Sequence, residues 1–147
     1  MLESPWLDLN EPLDSVSSFA LKIMNKIAPD FRYYTKLQHD DFSGDTQDKQ
    51  DSVKDPYYHG LISMRMLTGI MDGCAYALEN AARLPVKTYL AYAEYEKVVS
   101  NKATLAFAAK AGNMVTVKEY ESHHAIYDDV QREQYCRDLI KFLDSNL

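Results

Sequence analysis

Apolar side chains in this chain recur mostly at spacings of three and four. The clearest run lies between Asp55-Pro56 and Leu84-Pro85, where Tyr57, Leu61, Met64, Leu67, Met71, Cys74, Leu78 and Ala81 fall on one helical face. Asp55 is placed to cap the first turn, and Pro56 suits the first helical position, where the N–H it lacks would have no partner. Pro85 disfavours helical backbone at the residue before it and ends the run. A helix of that length needs several partners to cover it. The pattern predicts an all-α fold, an irregular bundle of helices.

The other segments extend that expectation. Residues 1–13 mix Trp6, Leu7, Leu9 and Leu13 with acids and two prolines, and read as an extended arm docked on the body. Asp14 or Ser15 caps a first helix to about Ala28, with Val16, Phe19, Ala20, Ile23, Met24 and Ile27 on one face, and Pro29 stops it. Residues 30–38 read as a brief helix in preference to a strand. Residues 39–55 hold six Asp and two Lys, with Phe42 and Val53 the only apolar members, and read as a mobile acidic loop.

After Pro85, Val86, Tyr89, Leu90 and Ala93 form a helical stripe. That helix either breaks at Ser100-Asn101 or runs on to Ala111, and Gly112-Asn113 supplies the stop. Thr116-Val-Lys-Glu119 matches a capping box and predicts a last helix to about Ser145. The sum is four to five helices in a single domain over residues 1–147.

Composition narrows the function. Of 147 residues, 46% are apolar and 26% charged, the balance of a globular chain with one core. The net charge of −6 is uneven: residues 1–55 hold eleven Asp and Glu against six Lys and Arg, and residues 56–147 hold eleven against ten. An acidic chain without a basic cluster argues against direct nucleic-acid binding. The first twenty residues lack a basic, then apolar, leader. No apolar stretch approaches the roughly 20 residues that span a bilayer, and the best, residues 61–71, is interrupted by Arg65. A soluble cytoplasmic protein with no membrane partner is expected. Cys74 and Cys136 read as buried, reduced thiols.

Candidate chemistry is sparse. Glu121 and His124 stand at the i, i+3 spacing with which di-iron bundles place two ligands on one helix face. The chain has no second Glu-x-x-His, so no metal or other cofactor is expected, and a metal- or ligand-binding bundle on Glu121 and His124 remains the alternative. The aspartates of residues 39–55 miss calcium-loop spacing, because counting from Asp41 puts Thr46 at position six and Ser52 at position twelve. No Gly-x-Ser-x-Gly and no phosphate-binding glycine loop occur, so no enzyme is expected.

The eleven tyrosines are the unusual resource, since tyrosine buries area while keeping a polar tip. These features predict a small acidic, non-enzymatic protein that inhibits or escorts a macromolecular partner, in the manner of immunity proteins or phage-encoded inhibitors of bacterial nucleases and defence complexes. In that reading Asp40, Asp41, Asp45, Asp48 and Asp51 steer a protein partner with a basic surface, and Tyr57, Tyr58, Tyr92 and Tyr95 anchor it. A homo-oligomeric assembly subunit with a tyrosine-rich contact is the other alternative.

Overall fold

Six consecutive residues, Thr88–Ala93 (TYLAYA), carry no charge. In the computed structural model, which describes residues 1–146, they form a strand (β4) buried on both faces. Leu90, on one face, packs with Leu7, Ala81, Ala103, Phe107 and Ala108. Tyr89, Ala91 and Ala93, on the other, pack with Tyr120, Ile126 and Tyr135. Leu90, Ala91 and Ala93 have no exposed surface.

Strands β1 (Leu2–Glu3) and β5 (Val115–Tyr120) flank β4, and both pairings are parallel. The β4–β5 register runs from Thr88 opposite Val115 to Ala93 opposite Tyr120. Parallel neighbours need a crossover. Here it is helix α4 (Asn101–Ala111), whose first turn is capped by Ser100 Oγ accepting from Ala103 N at 3.3 Å. Gly112, at φ +60°, ends that helix in backbone that side-chain-bearing residues avoid. Helix α3 (Met64–Asn80) joins α4 on the Leu90 side, while helix α5 (Arg132–Asp144) covers the Tyr89 side through Tyr135, Leu139 and Phe142. The centre is three layers, helices over a parallel sheet over a helix.

Between β1 and α3 the chain makes an insertion. It contains α1 (Ser15–Ile27), β2 (Arg32–Tyr34), a 3₁₀ turn at His39–Asp41, α2 (Thr46–Lys54) and β3 (Leu61–Ser63). β2 and β3 pair antiparallel, and α1 packs on α3.

The expected all-α bundle is therefore wrong, and the errors share a cause. A parallel strand buried on both faces shows no in–out alternation, so its apolar run also fits helical spacing. Tyr89, Leu90 and Ala93 fit a helical stripe in that way yet lie in strand β4, and residues 116–120, expected to start the last helix, are strand β5. The long helix begins at Met64, because residues 61–63 are β3 and Asp55 Oδ1 caps only a turn, accepting from Tyr57 N at 2.8 Å. Residues 32–34 are strand, where a brief helix was expected. Residues 39–55 form a turn and a helix in place of a mobile loop, because Asp45 accepts from Gln47 N and Asp48 N and so caps α2. Cys74 is buried, but Cys136 is exposed. Among the described residues no helix is long and apolar enough to cross a membrane.

Leu90→Ala removes a fully buried side chain from the centre of the contact between the sheet and helices α3 and α4. It is expected to lower unfolding free energy by about 2–5 kcal/mol, read as a lower urea midpoint at unchanged slope. Leu105→Ala, on the exposed side of α4, is the control and should change stability by less than about 0.5 kcal/mol.

Candidate active site

Strands β4 and β5 end side by side, and the candidate site lies where they end. β4 and β5 are parallel neighbours, so the loops leaving their carboxyl ends emerge from the same edge of the sheet. Two further hydrogen bonds, Glu94 N to Tyr120 O at 2.8 Å and Tyr95 N to Ser122 O at 3.0 Å, hold those loops together beyond the strands. Glu96 lies in the first loop and His124 in the second. His124 Nδ1 is 2.9 Å from Glu96 Oε2 and 3.1 Å from Oε1.

Glu96 is held as a fixed acceptor. Its side chain is 1% exposed, and Oε1 also accepts from Val98 N at 2.8 Å and Val99 N at 3.2 Å. An acceptor of this kind selects the ring form that carries hydrogen on Nδ1. Nε2 of His124 is then the free acceptor of the pair, and the ring is 22% exposed. A buried carboxylate, an imidazole oriented by it and a free Nε2 have the geometry of the acid–base portion of a nucleophilic triad.

The insertion supplies the walls. Phe42 meets His124 edge to face at 5.5 Å and Tyr58 at 5.7 Å, while Tyr58 stacks on His39 at 4.4 Å. Phe42 also lines an apolar pocket of about 270 Å³ with Trp6, Leu37, Tyr58, Ile62 and Met66. Phe42 and Tyr58 also line a more polar cleft of about 390 Å³ that includes Asp48, Asp51, Asp55, Ala125 and Asp128. Burial, then Asp48 and Asp41, pushes the Tyr58 hydroxyl up to about 12. Burial and the nearby Asp48 likewise raise Asp128 above its ordinary value.

The residues singled out from sequence are dispersed. Asp40 pairs with Lys49 at 2.8 Å, Asp41 accepts from Gln38 N at 2.8 Å, and Asp45 caps α2 and meets Arg132 at 3.3 Å. Asp48, Asp51 and Tyr58 share the polar cleft, and Tyr57, 87% exposed, borders the apolar pocket. Tyr95 packs near the His123 ring at 5.7 Å, whereas Tyr92 points to the Leu90 side of β4. Glu121 is exposed at the end of β5, on no helix, and His124 pairs with Glu96 instead. Among the described residues no group of three or more His, Cys, Asp or Glu is placed to hold a metal ion.

Sequence reasoning missed Glu96 and Phe42, and grouped His124 with Glu121, where the structure pairs it with Glu96. The available signal was order: a short uncharged run closed by an acid, a helix, a second run rich in β-branched residues, then a histidine. That is the acid-before-histidine order of hydrolase triads whose serine comes first in the chain.

Comparison with known proteins agrees with this geometry, and the class it defines is a mixed α/β fold resembling that of α/β-hydrolases. The profile of the family described as serine aminopeptidase, S33, matches residues 1–131, and the chain belongs to that family. Two solved structures share the fold. A monoacylglycerol lipase from Paleococcus ferrophilus superposes with a TM-score of 0.89 at 19% identity, over 99% of this chain and 58% of the lipase. A soluble variant of monoglyceride lipase from Saccharomyces cerevisiae, solved with a substrate analogue, gives 0.80 at 16% identity, over 99% of this chain and 55% of that one. The chain thus spans little more than half the length of either. No curated protein matches it in sequence.

Family membership overturns the expected non-enzymatic inhibitor, whether immunity protein or phage-encoded blocker, because the family and both neighbours are hydrolases. The metal-binding bundle falls with the helical bundle on which it was built.

One buried carboxylate beside the pair has a pH consequence. Asp129 is fully buried, which by itself raises its carboxyl; hydrogen bonds from the backbone of His123 and Val130, the His123 ring and Ser122 outweigh burial and hold it down at about 2, against an ordinary 3.8. The folded state therefore binds this proton less readily than the unfolded chain. The resulting stability, about 2 kcal/mol, is fully present above about pH 4 and lost as pH falls toward 2. Urea midpoints measured at pH 5 and pH 2.5 should show that fall, and Asp129→Asn should remove its share of it.

Proposed function

We propose that this chain carries the acid–base portion of a serine hydrolase that cleaves acyl esters with an apolar acyl group. The observation that carries the reading is the Glu96–His124 pair at the carboxyl ends of adjacent parallel strands. The chain has no Gly-x-Ser-x-Gly, and it spans little more than half of each solved neighbour. In this reading the serine is presented by the part of the family fold that these 147 residues do not span.

The chemistry follows from the free nitrogen. His124 Nε2 takes the serine proton as the oxygen attacks the acyl carbonyl carbon, and the ring becomes an imidazolium held by Glu96. It then gives that proton to the departing alcohol oxygen as the carbon–oxygen bond breaks. In the second half water attacks the acyl-serine, Nε2 takes its proton, and the serine oxygen recovers it as the acid leaves. The apolar pocket beyond Phe42 supports an acyl chain as the group bound there, and the names of both solved neighbours support the same class.

The polar cleft that Phe42 also lines favours a second reading, cleavage of a substrate with a free amine, and the family's description as an aminopeptidase supports it. Its aspartates and tyrosines suit an ammonium group.

Hydrolysis of p-nitrophenyl acyl esters by the intact protein is the test. Glu96→Gln and His124→Ala are each expected to lower kcat by a factor of about 10²–10⁴ at unchanged melting temperature. Full activity in either variant would sink the assignment. Phe42→Ala should weaken the preference for longer acyl chains. Faster turnover of aminoacyl p-nitroanilides than of any ester would replace the first reading with the second.

A further inference from the structure

The loop that carries His124 does not rest on Glu96 alone. Asp129, five residues further on, gathers five donors on two oxygens. Oδ1 accepts from Gly44 N and Val130 N, each at 2.8 Å. Oδ2 accepts from Ser122 Oγ at 2.9 Å and His123 N at 2.6 Å, and lies 2.9 Å from His123 Nδ1. Adjacent histidines thus have separate carboxylates, and the two pairs are joined by a single peptide unit.

The same carboxylate reaches into the insertion. Gly44 N belongs to the corner between the 3₁₀ turn and α2, and that corner is fastened at three more points, two on the histidine loop and one on the first residue of α5. Ala125 N donates to Phe42 O at 2.8 Å, Ser43 Oγ to Asp128 O at 3.3 Å, and Arg132 pairs with Asp45 at 3.3 Å. The fit at Gly44 is close. A Cβ there would lie 2.8 Å from His123 Cε1, 2.9 Å from its Nδ1 and 3.0 Å from Asp129 Oδ1.

Burying a carboxylate under five donors is costly unless all of them are satisfied, so its geometry leaves little freedom to the residues that donate. His123 is one of those residues twice over, through backbone and ring. We propose that Asp129 is a positioning residue: through His123 it sets the backbone from which His124 reaches Glu96, and through Gly44 it ties that setting to the corner of the insertion that carries Phe42. The inference rests on the reading of His124 as the general base. Asp129 touches no reacting atom in this scheme.

The test reads the ring directly. Two-bond proton–nitrogen NMR spectra of the full chain with labelled histidine, recorded near pH 9 where imidazoles are neutral, report which nitrogen of each ring carries hydrogen. In the unaltered chain both His123 and His124 are expected in the Nδ1–H form, and Glu96→Gln should release His124 to the Nε2–H form. Asp129→Asn is expected to release His123 and, with Glu96 untouched, to move His124 the same way. A role confined to stability would lower the melting temperature and leave His124 in its Nδ1–H form, and that outcome overturns the proposal.

Should Asp129→Asn fail to fold, Gly44→Ala keeps the carboxylate but pushes on His123 and Oδ1. It is expected to shift His124 toward the Nε2–H form, and an unmoved His124 overturns the proposal there. Ester hydrolysis by the intact Asp129→Asn protein should fall on the order of tenfold to a hundredfold in kcat, with KM little changed. If Glu96→Gln leaves hydrolysis intact, the functional reading fails, while the NMR result still decides whether Asp129 positions His124.

Discussion

The parallel pairing of β4 with β5 is the constraint on which the remainder depends. β4 is buried on both faces, so it cannot slip by one residue without exchanging the Leu90 side for the Tyr89 side. With Ala93 fixed opposite Tyr120, the two exit loops are fixed too, and the ladder continues into them through Glu94 and Tyr95. Glu96 and His124 are 28 residues apart in the chain. They meet because a register set by apolar packing delivers both loops to one edge of the sheet.

Two carboxylates at that edge are used differently. Glu96 spends one oxygen on Val98 and Val99 backbone and turns the carboxylate toward a ring that keeps some access to solvent. Asp129 is enclosed completely and spends both oxygens on donors. The first arrangement leaves a nitrogen free for chemistry; the second fixes backbone. A sequence containing His-His invites a search for one site, whereas the structure divides the two rings between these tasks.

How much of this was readable beforehand varied with the physics of each segment. Helix α1 follows from its cap at Asp14 and its apolar spacing, because a surface helix shows its period. β4 does not, since burial on both faces erases the alternation that marks a strand. Thr116-Val-Lys-Glu119 satisfied a capping pattern yet became β5, because pairing with β4 outweighs a local preference worth about 1 kcal/mol. The aspartates of residues 39–55 looked like free charge, but Asp45 is a helix cap and Asp40 an ion-pair partner. The Glu96–His124 pair was present as two letters; what joins them is a parallel crossover that no local pattern announces.

The insertion between β1 and α3 has an uneven attachment to the rest. Most of it faces outward, with Val16, Phe19, Ile27, Tyr33 and Tyr34 all exposed, while its corner at Phe42, Ser43, Gly44 and Asp45 is fastened to the histidine loop and the start of α5. A change that lengthens or rewrites the outward portion therefore leaves the hydrogen bonds between the corner and the histidine loop in place. The insertion is tethered at one end and loose at the other. The four-residue corner is the fixed end of it.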